Sequence, residues 1–292
     1  MNHPDIFYKY MSAETAVKVL KTSKLRWSSP LLFKDPSEWQ RMPCFSPTIE
    51  ETCIKFIHVL VDHVYGSHEI DENKLPALSK LIIDILKYSK RCGILKDNIV
   101  NELTKTDFVP RPDEKVTEEL RKFINSFICE ARILCITTEY DNESMWSHYT
   151  DNFCGCVLGF RHIQEKDTPL LAATKVIYSL EKPVVGSGLD FLVYGDTPEL
   201  RKNTLEAIIF TKKISWSYEK EWRVVTWTHH QNNNKYEDLS FFPEELESVT
   251  LDTACTKENE RIIKTFLFEY PYVKLYKLQI KNGQVYRNEL QF

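Results

Sequence analysis

Phe127-Ile128-Cys129-Glu130-Ala131-Arg132-Ile133-Leu134-Cys135-Ile136-Thr137 marks the point where the pattern of this chain changes. Up to Glu130 apolar residues recur with the helical period of 3.6, and from Ile133 they run together over the length of a buried strand. Upstream, helical periodicity holds from about residue 50 to 130. Ile54, Ile57, Val61 and Val64 stripe one helix, Leu81, Ile82, Ile85 and Leu86 the next, and residues 116–129 another. Pro76, Arg91-Cys92-Gly93 and Pro110-Arg111-Pro112 interrupt the region. Downstream, strand-like runs follow at residues 133–137, 155–160, 175–178, 221–228, 249–251 and 273–280, with one helix at 200–209. At the N-terminal end Ile6 to Tyr10 reads as a strand. Ser12 then starts a helix from Ala13 to Lys21, striped by Ala16, Val17, Val19 and Leu20, and Leu25-Arg26-Trp27-Ser28 resumes an extended run. Strands bracket a helical middle. The expectation is an α+β fold: a mixed or antiparallel β core in a single domain over residues 1–292, with a helical insertion at about 50–130.

Of the 292 residues, 42% are hydrophobic and 27% charged, and the net charge of −4 is spread over both signs. No overall field draws a polyanion, which leaves nucleic acid only a local patch. The N-terminus has neither the basic region nor the apolar run of a secretory signal, and no segment approaches the ~20 apolar residues of a membrane helix. A cytoplasmic protein without a membrane partner is expected; nothing in the sequence bears on oligomeric state. Cysteines 44, 53, 92, 129, 135, 154, 156 and 255 sit mostly in apolar surroundings, the pattern of reduced core thiols. Cys154-Gly155-Cys156 lacks the two-residue spacer of zinc and redox motifs, and His58, His63 and His68 walk around a helix axis instead of converging. No metal site is expected.

The most chemically loaded segment is Tyr218-Glu219-Lys220-Glu221-Trp222-Arg223. If residues 218–225 are extended, alternation sets Glu219, Glu221 and Arg223 on one face and Lys220, Trp222 and Val224 on the other. One carboxylate then rises in pKa while Arg223 holds the other ionised, an arrangement suited to general base work or to gripping a ribose. The plainer alternative is a solvated edge strand whose Glu and Arg merely pair. Trp216, Tyr218, Trp222 and Trp227 around the stripe favour a walled pocket. A second segment, Asp141 to Tyr149, reads as a capped helical turn on which Met145, His148 and Tyr149 share a face. His148 can donate to a substrate hydroxyl or phosphate, and Tyr149 or Trp146 can stack on a flat ring. A core turn whose histidine is satisfied by backbone fits equally. The third candidate is Tyr8-Lys9-Tyr10 with Trp27-Ser28-Ser29 and the loop Asp35-Pro36-Ser37-Glu38. Tyr8 and Tyr10 share a face there, as a pocket wall or as half-buried sheet residues.

Taken in order, these motifs resemble the bacterial domain-of-unknown-function 2971 family over nearly the whole chain. The resemblance runs through Tyr8-Lys9-Tyr10, Leu25 to Pro30, Phe33-Lys34-Asp35-Pro36, Cys135-Ile136-Thr137, Met145 to Tyr149 and Trp216 to Arg223. The chain departs from the family pattern at Lys34, where Asn is usual, at Ser37-Glu38, where Phe-Glu is usual, and at Phe153-Cys154-Gly155, where His-x-Gly is usual. The resemblance implies a bacterial or phage-related protein, some of whose relatives lie near toxin or antiviral defence genes, and it carries no settled activity. More loosely, the layout resembles that of ADP-ribosyltransferases, in which an early strand-helix unit and a later glutamate-bearing strand clasp NAD. That resemblance implies Tyr8 or Tyr10 and Tyr149 stacking on nicotinamide, helped by Trp146, with His148 or Arg223 on ribose or phosphate. Glu221 would stabilise an oxocarbenium-like ribosyl centre and orient the nucleophile, and Glu219 would select the acceptor. The function expected is a cytoplasmic, toxin-like or defence effector that consumes NAD as transferase or glycohydrolase. It would bind a small-molecule nucleotide and use a protein or nucleic acid as acceptor. Two alternatives stand beside it: a metal-dependent nuclease with Asp35, Glu219 and Glu221 on Mg²⁺, and a non-catalytic module that binds a nucleotide or a partner.

Overall fold

Ser12 ends the first strand and starts the first helix, because its backbone is extended and its hydroxyl accepts from the Thr15 N–H. A computed structural model describes residues 3–35, 42–105, 114–228, 234–281 and 284–292. Pro36-Ser37-Glu38 of the expected polar loop and the break at Pro110-Arg111-Pro112 lie outside the described residues. In chain order the elements are β1 (Ile6–Met11), α1 (Ala13–Thr22), β2 (Lys24–Ser28), β3 (Cys44–Phe45), α2 (Ile49–Tyr65), α3 (Ala77–Arg91), α4 (Lys96–Lys105), α5 (Glu114–Glu130), β4 (Ala131–Thr137), α6 (Glu143–Tyr149) and β5 (Cys156–Arg161). There follow β6 (Thr174–Lys175), β7 (Ile177–Ser179), β8 (Val184–Gly186), α7 (Gly188–Tyr194), α8 (Pro198–Ile209), β9 (Thr211–Lys213), β10 (Glu221–Trp227), β11 (Tyr236–Ser240), β12 (Leu246–Leu251), α9 (Lys257–Leu267), β13 (Lys274–Lys281) and β14 (Gln284–Leu290). The fold is α+β, with a mixed, mostly antiparallel sheet.

The chain divides into two compact units: residues 1–36, 127–180 and 212–292 form the first, and residues 37–126 and 181–211 the second. In the first, β10 runs antiparallel along one edge of β4, from Glu221 opposite Thr137 to Trp227 opposite Ala131. β1 and β2 share the other edge, at Thr137 and Ile133 respectively. The order continues from β1 through β5, β12, β13 and β14. Register therefore sets Glu221, Thr137, Tyr8, Gly159 and Ser248 in one row across five strands. Residues paired across a ladder point to the same side, so this row shares a face.

The opposite face carries the larger core. Phe7, Leu134, Ile136, Leu158, Phe160 and Val249 pack there against Ala16 and Leu20 of α1 and Ile263 and Leu267 of α9. Each fully buried aliphatic side chain of this kind contributes roughly 1.5–3 kcal/mol. The row's own face is covered by a smaller cluster, in which Tyr8, Tyr10, Val157 and Leu278 meet Met145 and Trp146 of α6.

In the second unit α2 packs on α3 and α7 through Phe56, Ile57, Leu60, Val61, Ile82 and Leu86. A capping box starts α2, the Glu51 N–H donating to the Thr48 hydroxyl while the Glu51 carboxylate accepts from the Thr48 N–H. Of the expected stripes Ile57, Val61, Val64, Ile82 and Leu86 face inward. Ile54, Leu81 and Ile85 are exposed, because α2 and α3 carry more apolar residues than one stripe holds and Phe56, Leu60 and Ile83 take the inward positions. Among the described residues no helix is long and apolar enough to cross a membrane.

Candidate functional site

The stretch expected to be extended from Tyr218 is not: Ile214–Glu219 is a 3₁₀ turn, Lys220 is left-handed at φ 43°, and β10 begins only at Glu221. The cause lies in side chains that satisfy the turn's backbone in place of a ladder. The Thr137 hydroxyl donates to the Glu219 carbonyl at 2.6 Å, and Asn142 Nδ2 donates to the Tyr218 carbonyl at 2.7 Å. The Glu221 N–H donates to the Tyr178 hydroxyl oxygen at 2.8 Å. Residues of β4, the α6 N-cap and β7 thus pin the entry to β10, and the turn carries Glu219 inward beside Glu221.

There the charges close on one another. Lys212 Nζ, on β9, donates to Glu219 Oε2 at 2.6 Å and to Glu221 Oε2 at 2.8 Å. Arg223 Nε donates to Glu221 Oε1 at 2.7 Å and its Nη2 to Glu221 Oε2 at 3.1 Å. The remaining Glu219 oxygen accepts from the Tyr149 hydroxyl at 2.7 Å. All four charged side chains are buried: Arg223 is 0% exposed, Glu219 3%, Glu221 4% and Lys212 6%. Burial works to raise the Glu221 pKa, but the Arg223 and Lys212 charges and their hydrogen bonds outweigh it and hold the carboxyl below its usual range. Glu221 is thus a carboxylate that Arg223 holds ionised, as alternation along the strand led one to expect, and Lys212 adds a second cation to it. Burial, followed by the Glu219 charge, pushes the Tyr149 hydroxyl well above its ordinary pKa, so it remains a donor. Burial likewise pushes up the Cys135 thiol, which faces Arg223 in register.

Outside this network lies an aromatic and cationic shell. Exposed His148 brings Nδ1 to 3.2 Å from the Tyr218 hydroxyl. Lys34 donates to the His148 carbonyl and places its Nζ 4.2 Å from the centre of the Tyr149 ring. Trp216 Nε1 donates to Asp35 Oδ2 at 3.1 Å, and its ring lies 6.0 Å from that of Tyr218. Lys212 Nζ is 5.0 Å from the Trp216 ring, and the Arg223 guanidinium 5.3 Å from that of Phe33.

Glu219, Glu221, Arg223 and Tyr149 are therefore joined in one network, and His148 adjoins it through Tyr218. Tyr10 and Trp146 are placed differently. Both are buried with rings 5.3 Å apart, Tyr10 Oη accepts from the Asn142 N–H at 3.1 Å, and Trp146 Nε1 donates to the Tyr140 carbonyl at 2.9 Å. They hold α6 on the sheet. Tyr8 lies in the same buried cluster, 5.6 Å from the Tyr140 ring. Among the described residues none of these three hydrogen-bonds to the carboxylates. Sequence reading missed Lys212, Tyr178 and Thr137; Lys212 in particular follows a helix end with nothing local to mark it as buried. Among the described residues no three His, Cys, Asp or Glu side chains are placed to hold a metal ion together.

Neither the curated proteins nor the solved structures give a match to this chain. Residues 145–224 match the model of a family described as "Protein of unknown function (DUF2971)". That span takes in Tyr149, Tyr178, Lys212, Glu219, Glu221 and Arg223. The stretch similar to that family supplies every charged side chain of the buried network.

Proposed function

We propose that this chain breaks the ribosyl bond of NAD, as an ADP-ribosyltransferase-like enzyme or an NAD glycohydrolase, and acts as a toxin-like or defence effector. The observation that carries the reading is the Glu219–Lys212–Glu221 bridge at the entry to β10, behind a face of Lys34, His148, Tyr149, Trp216 and Tyr218. A flat, cationic nicotinamide suits the aromatic rings, and the phosphates suit Lys34 and His148. Lys212 is the movable part: an ammonium on a four-carbon stem turns to a substrate oxygen and releases both carboxylates. The bond from nicotinamide to C1′ then breaks, its electron pair leaving with nicotinamide. Ionised Glu221 faces the positive charge that grows at the ribosyl centre. Water or an acceptor hydroxyl attacks C1′ and passes its proton to Glu219. Incubation with NAD labelled in its adenylate half, alone and in a bacterial lysate, tests this. Free ADP-ribose or labelled macromolecule supports it; neither product overturns it.

A second reading rests on the burial itself. With both carboxylates at most 4% exposed and held by Lys212 and Arg223, the network also suits a rigid floor beneath a non-catalytic nucleotide-binding face. Saturable binding of NAD without any product, retained in Glu221→Gln, selects this reading over the first.

A further inference from the structure

Away from the carboxylates, the same sheet face holds a second group of polar side chains that their surroundings leave unsatisfied. Ser248 and Thr250, two apart on β12, are 2% and 0% exposed, and neither hydroxyl has a hydrogen-bond partner among the described residues. Arg287 Nη1, on β14, is also buried without a partner, while the Arg287 side chain hydrogen-bonds to that of Tyr8. Its guanidinium is flanked by the Tyr140 and Tyr276 rings, 4.3 Å from each centroid. Register ties these residues together. Tyr276 is the partner of Thr250, Ser248 that of Gly159, and Gly159 that of Tyr8. Gly159 has to lack a side chain here, since a Cβ would stand 2.4 Å from Ser248 Oγ and 3.1 Å from the Tyr8 ring. The Tyr140 ring, 4.3 Å from the guanidinium, is 5.6 Å from the ring of Tyr8, and the Arg287 charge works against the rise that burial gives the Tyr8 pKa.

We infer that Arg287, Tyr8, Ser248 and Thr250 form an oxyanion subsite that takes the phosphate group of a small phosphorylated molecule. Buried polar groups are nearly always paired, so two orphan hydroxyls and an orphan guanidinium N–H on one face call for a shared partner. The guanidinium N–H requires an acceptor and both hydroxyls can donate, so a single anion can take hydrogen bonds from all three. Arg223, on the same face, has Glu221, whereas Arg287 Nη1 has no partner among the described residues. The rings within 4.3 Å of the guanidinium are those of Tyr140 and Tyr276, which bring no carboxylate to it. A guanidinium from β14 and hydroxyls from β1 and β12 are supplied by three different strands, which suits a tetrahedral phosphate better than a planar carboxylate. An anion in this place needs no ribosyl chemistry at Glu221.

Titration calorimetry of the full chain with inorganic phosphate and with ADP is the test, and neither readout depends on NAD turnover. Both ligands are expected to bind, with affinity falling at least about tenfold in Arg287→Gln and about threefold in Ser248→Ala, since a charge-assisted hydrogen bond is lost in the first and a neutral one in the second. If Arg287→Gln does not fold, the Ser248→Ala/Thr250→Ala pair carries the same test, with a loss of about tenfold expected. Absence of binding of both ligands to the wild-type chain, or affinities unchanged in the variants, overturns the assignment and leaves the orphan groups to buried water.

Discussion

The Tyr149 hydroxyl donates to Glu219 Oε1 at 2.7 Å and so ties α6 to the turn before β10, across 70 positions of sequence. A hydrogen bond to a buried carboxylate is worth about 1.5–3 kcal/mol, and its loss leaves an acceptor without its donor. Tyr149→Phe is therefore expected to lower the unfolding free energy in urea by about 2 kcal/mol with the m-value unchanged. A change under about 0.5 kcal/mol would show that Glu219 does not depend on this bond.

Lys212 serves two carboxylates at once, so its removal leaves two buried anions short of a partner. Lys212→Met should cost about 3–5 kcal/mol. Combining it with Glu219→Gln should cost less than the sum of the two single changes by at least about 1 kcal/mol, because the second change removes one of the stranded charges. Simple additivity would mean that Lys212 and Glu219 do not interact in solution.

The pH dependence follows from the direction of each shift. Glu221 has its folded pKa below the ordinary 4.5, so its contribution to stability is present above about that pH and is lost as the pH falls below it. The stability difference between wild type and Glu221→Gln should be constant from about pH 6 to 8 and shrink below about pH 4.5. Tyr149, Tyr10 and Tyr178 are shifted the other way, each first by burial. Their contribution is present below about pH 10 and is lost as the pH rises through their folded values, so alkaline unfolding should be less steep in Tyr149→Phe. A Glu221→Gln difference that persists unchanged to about pH 3 would contradict the ion pairing.

Asp151, Asn152 and Phe153 run consecutively at φ 53°, 53° and 64°, a left-handed turn between α6 and β5. Side chains pay about 1–2 kcal/mol per residue for that conformation, and asparagine tolerates it better than most. Asn152→Val, although exposed, should lower stability by about 1–2 kcal/mol, whereas Asn152→Gly should stay within about 0.5 kcal/mol of wild type. Equal effects of the two substitutions in thermal denaturation would exclude backbone conformation as the cause.

Much of the fold is legible in local pattern. The change at Ala131, the strand after Cys156 and the Ser12 cap all follow from period and propensity over a few residues. What was not legible depends on partners distant in sequence. Alternation made residues 218–225 one strand, but Thr137 and Asn142 cap its first carbonyls and the chain turns at Lys220 instead. Lys212 shows the same limit at the site. Glu219, Glu221 and Arg223 announce themselves as a charged stripe, while a lysine seven positions earlier becomes their shared partner only once β9 and β10 are folded. Thr250 lies in the strand expected at 249–251 and Ser248 just before it, and only register sets both on the Tyr8 face.

The most direct measurement is the rate of nicotinamide release from NAD by the purified chain and by Glu221→Gln, with folding of both checked by circular dichroism at the assay temperature. Release by the wild-type chain, reduced about 10²–10³-fold in the variant, is the expected result, in line with losing a charge aimed at the transition state. Release at the same rate by both would contradict a role for Glu221, and no release by either would end the ribosyl-transfer reading.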